Sequence, residues 1–479
     1  MAKKFSMKSL MSTPESKMRL FVWAIFYPVF LCQSVFAASD SEDVFDAITS
    51  GLSPSTLRPG RSDRPNHPLA RMPVSLSAAF STSSVQNPSV VAAIKNLDIA
   101  KAQVRTAGAR PNPQFAMQYG FGNPYTEAIA GNTQQVGANQ LVEMGGKRAA
   151  RLRYARANYI LSEYQLADLR YDVRSAVRKG YAELAAAEAN IELVENQRAL
   201  VARLSSLAEA KYKARKCEEV EVLQAKLALD QFETLRNTSY ARLRQASIEL
   251  DYLLGYSPER DLDVEDNGLF KLSTKRTELV PPPDQPLPEL EDLLTQAFAD
   301  RADLKSAKQQ VVTTTSAIKL AKAQAVPDVL VGSGYVFSTY KKSAHVRQQD
   351  GAYLNINVDL PIFYRHQGEI AAAKAASKQA QDQAAAMTSR VEVDVRAAYS
   401  KLAAARVNIA HYQKNLIPLA LRVVRKAQDS YEKGTIDLGS AIVAQQQFQN
   451  TFSSYFDTVV GYQNAWADLE TAIGRKIDF

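Results

Sequence analysis

"VRKGYAELAAAEANI" (177–191) and "VRAAYSKLAAARVNI" (395–409) lie 218 residues apart and agree at Val, Arg, Tyr, Leu, three successive Ala, Asn and Ile. Other echoes follow in order at nearly the same spacing. "NPSV" (87–90) falls opposite "RADL" (301–304), Pro113 and Gly120 opposite Pro327 and Gly334, and Tyr212 opposite Tyr431. "LDYLLG" (250–255) is echoed by "LETAIG" (469–474). General likeness between Ala-rich helices would not align Pro, Gly and Tyr as well. The chain is therefore read as a tandem duplication, with repeats at 74–256 and 289–479.

Each repeat has the same order of elements. Helices of about 24 residues are predicted near 86–109 and 301–325, where apolar residues recur at helical spacing. Strands follow near 113–122 and 133–143, then near 328–338 and 352–360. A very long helix comes next, at 147–211 and 367–432, and a last helix at 219–254 and 438–472. No proline occurs between Pro124 and Pro258, and Gly180 is the only glycine between Gly146 and Gly255. Breakers are kept out of so long a stretch when the helix is real. A 65-residue helix is roughly 100 Å long, so it needs packing partners along its whole length. The two shorter helices of each repeat, end to end, have the length to supply them. Small residues in "AAAEAN" (185–190) and "AAAKAASKQAQDQAAA" (371–386) allow close approach between helices. Between the repeats, "LVPPPDQPLPEL" (279–290) marks a Pro-rich connector, assigned to 257–288, which cannot be helical throughout.

The strands have one apolar face. In "QFAMQYGFG" (114–122), Phe115, Met117, Tyr119 and Phe121 alternate with Gln114, Ala116, Gln118 and Gly120. In "YLNINVDL" (353–360), Leu354, Ile356 and Val358 alternate with Asn355, Asn357 and Asp359. The second strand is weakly patterned, and the third, "DVLVGSGYVFS" (328–338), is apolar on both faces. A polar face opposite an apolar-aromatic one fits a soluble sandwich or a membrane barrel, and about ten residues is the length of a membrane strand. In hydrocarbon every backbone N–H and C=O must be paired, so a membrane sheet must close on itself. Four strands are too few. Two copies would give a barrel too narrow for a pore, whereas three would give twelve strands. The expectation is a homotrimer, mainly α with a shared β-barrel, in which lipid meets Phe115, Met117, Tyr119, Phe121, Leu354, Ile356 and Val358.

Composition supports export rather than nucleic-acid binding. The chain has 479 residues and a net charge of +8. Lys3, Lys4, Lys8, Lys17 and Arg19, against Glu15, lie within the first 37 residues, so without them the balance is +4. Those residues, with "LFVWAIFYPVFLCQSVFA" (20–37), have the pattern of a secretory signal peptide (1–37); a retained membrane helix is the alternative. "VFLC" lacks the small residues expected before a lipidated cysteine at Cys32. Residues 38–73 read as an irregular N-terminal extension. Downstream, no apolar run is long enough for a membrane helix, and Cys217 is the one remaining cysteine. His67, His345, His366 and His411 are scattered without metal-ligand spacing. No nucleophile–base or paired-carboxylate arrangement stands out. No catalysis, cofactor or metal site is expected. Gly145 and Gly146 read as the swing from strand into helix. The basic cluster that follows (Lys147, Arg148, Arg151, Arg153, Arg156) opposes the helix dipole and suggests an external anionic partner such as lipid headgroups, or else a solvated face.

With repeat, strands and long helices in hand, the chain resembles the TolC-like family of outer-membrane efflux proteins. "SLSAAFSTSSVQNPSV" (75–90) is similar to that family's opening signature. "QLVEMGGKRAAR" (140–151) and "LPIFYRHQGEI" (360–370) resemble its strand-to-helix junctions, and "SYEKGTIDLGSAIVAQQQF" (430–448) its distal turn. The resemblance implies a trimer with a 12-stranded outer-membrane barrel and a periplasmic helical tunnel. It implies cargo received from an inner-membrane pump through a periplasmic adaptor. "GGKR" after Glu143 most resembles the heavy-metal branch, with organic-compound efflux as the competitor. A protein-secretion duct and a soluble periplasmic scaffold are the other functions weighed.

The family often carries acidic residues at the tunnel entrance. Ser440 and Val443 occupy those positions here, so Glu218, Glu221 and Asp437 are the expected entrance carboxylates. Tyr212, Tyr431 and Gly434 are the expected adaptor-docking residues. Arg215 stands where the second repeat has Gly434, and the first turn is expected to differ for that reason.

Overall fold

The computed structural model describes residues 72–120, 131–257, 262–264, 279, 286–340 and 350–476. Two units divide between Pro68 and Leu69, and every described residue belongs to the second. The expected signal peptide (1–37), nearly all of the expected 38–73 extension, most of the connector, Cys32, His67, Phe121 and His345 lie outside the described residues.

Strand β1 (Met72–Val74) is followed by helices α1 (Leu76–Gln86) and α2 (Pro88–Gly108). Asn87 separates these helices. The residue before a proline is pushed out of the helical region, and Pro88 suits the first helical position. Asn87 Oδ1 accepts hydrogen bonds from the N–H groups of Ser89 and Val90, capping α2. Strands β2 (Gln114–Gly120) and β3 (Gly131–Val142) lead into α3 (Lys147–Lys213), α4 (Glu219–Leu254) and β4 (Leu262–Val264). The second repeat runs α5 (Leu290–Asp300), α6 (Ala302–Gln324), β5 (Val329–Tyr340), β6 (Gly351–Val358), α7 (Gln367–His411), a π-helical turn (Tyr412–Leu416), α8 (Ile417–Glu432) and α9 (Leu438–Ile473).

The predicted order of helices and strands is thus observed, with three differences. The short helices α1 and α5 precede the helices expected at 86 and 301. The end of the N-terminal extension forms a parallel ladder with the connector, Met72–Val74 against Leu262–Val264. The second long helix is also not continuous. Pro418 supplies no N–H, and its ring crowds the carbonyl four residues back; the π-helical turn just before it absorbs the misfit.

Helix α3 is the axis of the packing. It contacts α2 and α4 of its own repeat and α6 and α9 of the other. Its middle is buried nearly all round, including Tyr181, Ala182, Leu184, Ala185, Ala186, Ala187, Ala189 and Asn190. Here alanine leaves room for close neighbours: Asn190 meets Ser239 of α4, Tyr181 donates to the Val74 carbonyl, and Glu188 accepts from Val264 N–H. The second Ala-rich run, at 371–386 in α7, is mostly exposed, so the same composition serves an axis in one repeat and an edge in the other. A main core gathers Val177, Leu250, Leu304, Leu402, Phe456 and Leu469 among others. A smaller one near the ends of the long helices holds Val201, Leu204, Phe232, Tyr431, Leu438 and Ile442.

Candidate functional site: the sheet and the distal turns

The sheet is antiparallel with strand order β2-β3-β5-β6. Its register places Phe115, Met117 and Tyr119 on one face with Val136, Ala138, Val331, Tyr335, Leu354, Ile356 and Val358, because side chains alternate along each strand and align across a ladder. Phe115 is 72% exposed and Leu354 70%. Tyr335 and Phe337 extend this apolar face, and their rings lie 4.8 Å apart. The third strand is apolar on both faces, as read: Val331, Tyr335 and Phe337 lie on this face, and Leu330 and Val336 on the other.

The opposite face carries Gln118, Gln135, Asn139, Tyr353, Asn355 and Asn357. Its glycines make room for these side chains. A Cβ on Gly137 or Gly334 would come within 2.7 Å of the Tyr353 hydroxyl, and one on Gly332 within 2.0 Å of both Asn139 Oδ1 and Asn355 Oδ1. One sheet therefore presents an oily face and an amide-lined face. Among the described residues, its outer strands, β2 and β6, each pair on one side only.

At the sheet's base the chain swings into α3 through Gly145 and Gly146, both left-handed. His366 takes the same conformation before α7. The basic cluster finds partners here. Lys147 Nζ lies 2.8 Å from Asp328 Oδ1, and Arg151 forms a two-pronged pair with Glu143. Arg148 Nε donates to the Gly108 carbonyl at 2.6 Å. These three cations satisfy internal acceptors, whereas Arg153 and Arg156 of the same cluster are exposed. Sequence reading passed over the apolar residues just below β6: Leu360, Ile362, Phe363 and Tyr364 are all exposed.

The two distal turns join α3 to α4 and α8 to α9. Contrary to expectation they turn alike. Lys216 N–H donates to Lys211 O at 2.9 Å, and Thr435 N–H to Ser430 O at 2.9 Å, the 6→1 bond that closes a helix end. Arg215 adopts φ 55° where Gly434 has φ 72°. A left-handed side chain costs about 1–2 kcal/mol, and the closing bonds hold it there.

Tyr431 is 1% exposed. Burial, then the Glu221 charge and Cys217, push its hydroxyl up to about 12. Lys211 Nζ sits 3.8 Å from the Tyr431 ring centroid and donates to its carbonyl at 2.8 Å. Tyr431 thus ties the two turns together and within the chain offers no docking surface, whereas Tyr212 and Gly434 are exposed. Asp437 caps α9, accepting from Ser440 N–H at 3.2 Å and from the Ser440 hydroxyl at 2.5 Å. The Ser440 hydroxyl and backbone bonds hold its carboxyl below the usual range, so it stays ionised at neutral pH. Glu218 is exposed and Glu221 half-buried in the first turn of α4. Val220, Leu223 and Leu227 form an exposed apolar stripe on α4 that sequence reading missed. Their spacing puts them on one helix face.

Among the described residues, no helix is long and apolar enough to cross a membrane. Nor, among them, is any group of three His, Cys, Asp or Glu placed to hold a metal ion.

Residues 80–256 and 293–475 match the family described as outer membrane efflux protein. Over 403 residues the chain is 22% identical to the cobalt-zinc-cadmium resistance protein CzcC of Cupriavidus metallidurans, spanning 84% of this chain and 90% of that protein. Among solved structures, the CmeC outer membrane channel of Campylobacter jejuni superposes with a TM-score of 0.67 at 15% identity, covering 83% of this chain and 85% of that one. The outer membrane protein VceC of Vibrio cholerae gives 0.65 at 18% identity, with 84% and 96% covered.

Proposed function

The chain belongs to the outer membrane efflux protein family, and from that premise we propose that it is the outer-membrane channel of a tripartite efflux system, exporting metal cations as its main cargo. It carries no energy source of its own in this reading. An inner-membrane pump drives the solute, and a periplasmic adaptor couples pump to channel. The observation that carries the reading is the sheet: one face apolar and exposed, the other lined with amides and glycines, and two open edges. That combination suits a wall with lipid outside and water inside. Its edges demand sister subunits, so the working unit is a homotrimer. Metal cargo is favoured over organic compounds by the likeness to a cobalt-zinc-cadmium resistance protein along 84% of the chain. A duct needs only width and hydration, so metal cargo requires no ligand cluster.

A strain lacking the gene is expected to lose tolerance to cobalt, zinc or cadmium salts, and the wild-type gene restores it. Unchanged metal tolerance with new sensitivity to dyes or antibiotics would move the cargo to organic compounds. Loss of a secreted protein with all tolerances intact would favour a secretion duct.

At the distal end, Glu218, Glu221 and Asp437 of three subunits supply the carboxylates of the tunnel entrance in this reading. Rings of carboxylates concentrate cations. Tyr212 and Gly434 remain the exposed adaptor-docking candidates. In planar bilayers, Glu221→Gln channels are expected to lose part of their cation-over-anion preference. An unchanged reversal potential in a salt gradient would remove Glu221 from the entrance.

A further inference from the structure

The duplicated sequence lets the chain's internal seam serve as a template for the seam between copies. In the duplication β5 is the counterpart of β2, and β6 of β3. Pro113 and Pro327, like Gly120 and Gly334, are 214 positions apart; the helices after β3 and β6 begin at Lys147 and Gln367, 220 apart. Those two offsets carry the observed pair Phe115–Ala138 of the first hairpin onto the observed pair Val329–Val358 of the second. The hairpins are therefore equivalent residue for residue.

The joint between them is β3 against β5, which pairs Ala138 with Ser333 and Gln140 with Val331. In a closed ring of hairpins the same joint must recur between β6 of one copy and β2 of the next. Carrying the pairs across by the same offsets, we propose that the intersubunit ladder sets Val358 opposite Tyr119 and Leu360 opposite Met117 of the neighbouring copy. This rests on the trimeric reading above and adds its register.

Three observations support that register. First, it keeps faces together: Val358, Tyr119 and Met117 all lie on the apolar face, and a slip of one residue would drive apolar side chains into the amide-lined face. Second, it accounts for a difference in strand length. Gln140–Val142 lie beyond β3's ladder with β2 and are paired by β5 alone. Their counterparts, 360–362, fall just past the end of β6, where Leu360 and Ile362 are 71% and 64% exposed. The neighbour's β2 would extend β6 to Leu360. Pro361 has no N–H, and Ile362 N–H already donates to Leu360 O at 2.8 Å, so the ladder stops there. Third, the helices repeat the arrangement. Leu204 and Ile442 are buried together in the distal core. Their counterparts 219 positions away, Val423 and Leu223, are 44% and 58% exposed, as expected of a contact completed by another copy.

The test is disulfide cross-linking of the full chain, with Cys32→Ser and Cys217→Ser removing both native thiols. The double variants Val358→Cys/Tyr119→Cys and Leu360→Cys/Met117→Cys are expected to give covalent dimers and trimers on mild oxidation. Directly opposed residues have Cβ atoms about 4.5–5.5 Å apart and diagonal ones about 7–8 Å, and a disulfide needs a Cβ separation near 4 Å. Val358→Cys/Met117→Cys, the two-residue slip, is therefore expected to cross-link at least tenfold less. Native mass spectrometry of the unoxidised protein separates the two ideas. A trimer in which the slipped pair cross-links best, or in which no pair does, overturns the register alone. A monomer overturns the register and the trimer together.

Discussion

Replacing Arg178 by alanine is expected to be the most damaging single change in the helical body. Arg178 is 7% exposed. Its guanidinium lies 3.4 Å from Glu470 and donates to Gln463 Oε1 at 3.2 Å, joining α3 to α9 across the two repeats. The Trp466 and Phe80 rings lie 5.4 and 5.5 Å from its central carbon. Burial pulls its pKa down and the Glu470 charge pushes back. Alanine would leave the Glu470 carboxylate, itself 4% exposed, with Arg174 at 3.8 Å in place of its nearest cation. Removing one partner of a buried pair costs about 3–5 kcal/mol, whereas replacing both by apolar residues is often neutral. Arg178→Ala should lower the thermal midpoint followed by circular dichroism far more than Arg178→Met/Glu470→Leu does. A loss below about 1 kcal/mol for Arg178→Ala would show that the pair is not a principal tie between the repeats.

Gly474→Ala is the second large effect expected. Gly474 ends α9 with φ 69°, and a Cβ there would sit 2.6 Å from Arg301 Cα and 3.0 Å from Arg301 N. Both obstacles are backbone and cannot swing aside. A left-handed alanine costs about 1–2 kcal/mol and overpacking about 1–3, so a loss of about 2–5 kcal/mol follows. The same crossing occurs in the first repeat, where a Cβ on Gly255 would meet Gln86 O at 2.3 Å. The side chains beside these glycines do one job in two ways. Asn87 Nδ2 donates to Leu253 O at 2.9 Å, and Arg301 Nη1 to Ala472 O at 3.4 Å. Gly461→Ala is the control. It is in mid-helix with nothing within 4 Å of its added Cβ, and the change should be neutral or stabilising by about 0.5–1 kcal/mol. Equal losses at Gly461 and Gly474 would refute the close-crossing account.

These two sites also mark where sequence reading stops. Gly255 and Gly474 align in the duplicated sequence, but their spatial reason, a helix break crossing beneath each, involves α1 and α5, which lie before the helices expected from the sequence. Arg178 and Arg396 occupy the same position in the repeated stretch. One is buried against Glu470; the other pairs on the exposed surface with Glu392, four residues away. Likewise, Tyr212 and Tyr431 align, yet one is exposed and the other fills the distal core. Of the residues assigned to the entrance, Asp437 proved to be a helix cap as well as an exposed carboxylate, a double use that the pattern Asp-x-x-Ser at a helix start made legible.

The sequence by itself determined the duplication, the order of helices and strands, and which side of β2 and β6 is apolar. The duplication follows from echoes 214–219 positions apart; the order of elements and the apolar faces follow from periodicity and breakers within a few tens of residues, where chain geometry alone ties spacing to face. Only the tertiary structure decided which long helix is the axis and which the edge, that Arg215 and His366 take left-handed turns, and where each cation finds its carboxylate. Those outcomes depend on neighbours brought from as far as 292 positions away. Two copies of one motif carry the same local preferences, so only the different surroundings into which they fold could tell them apart.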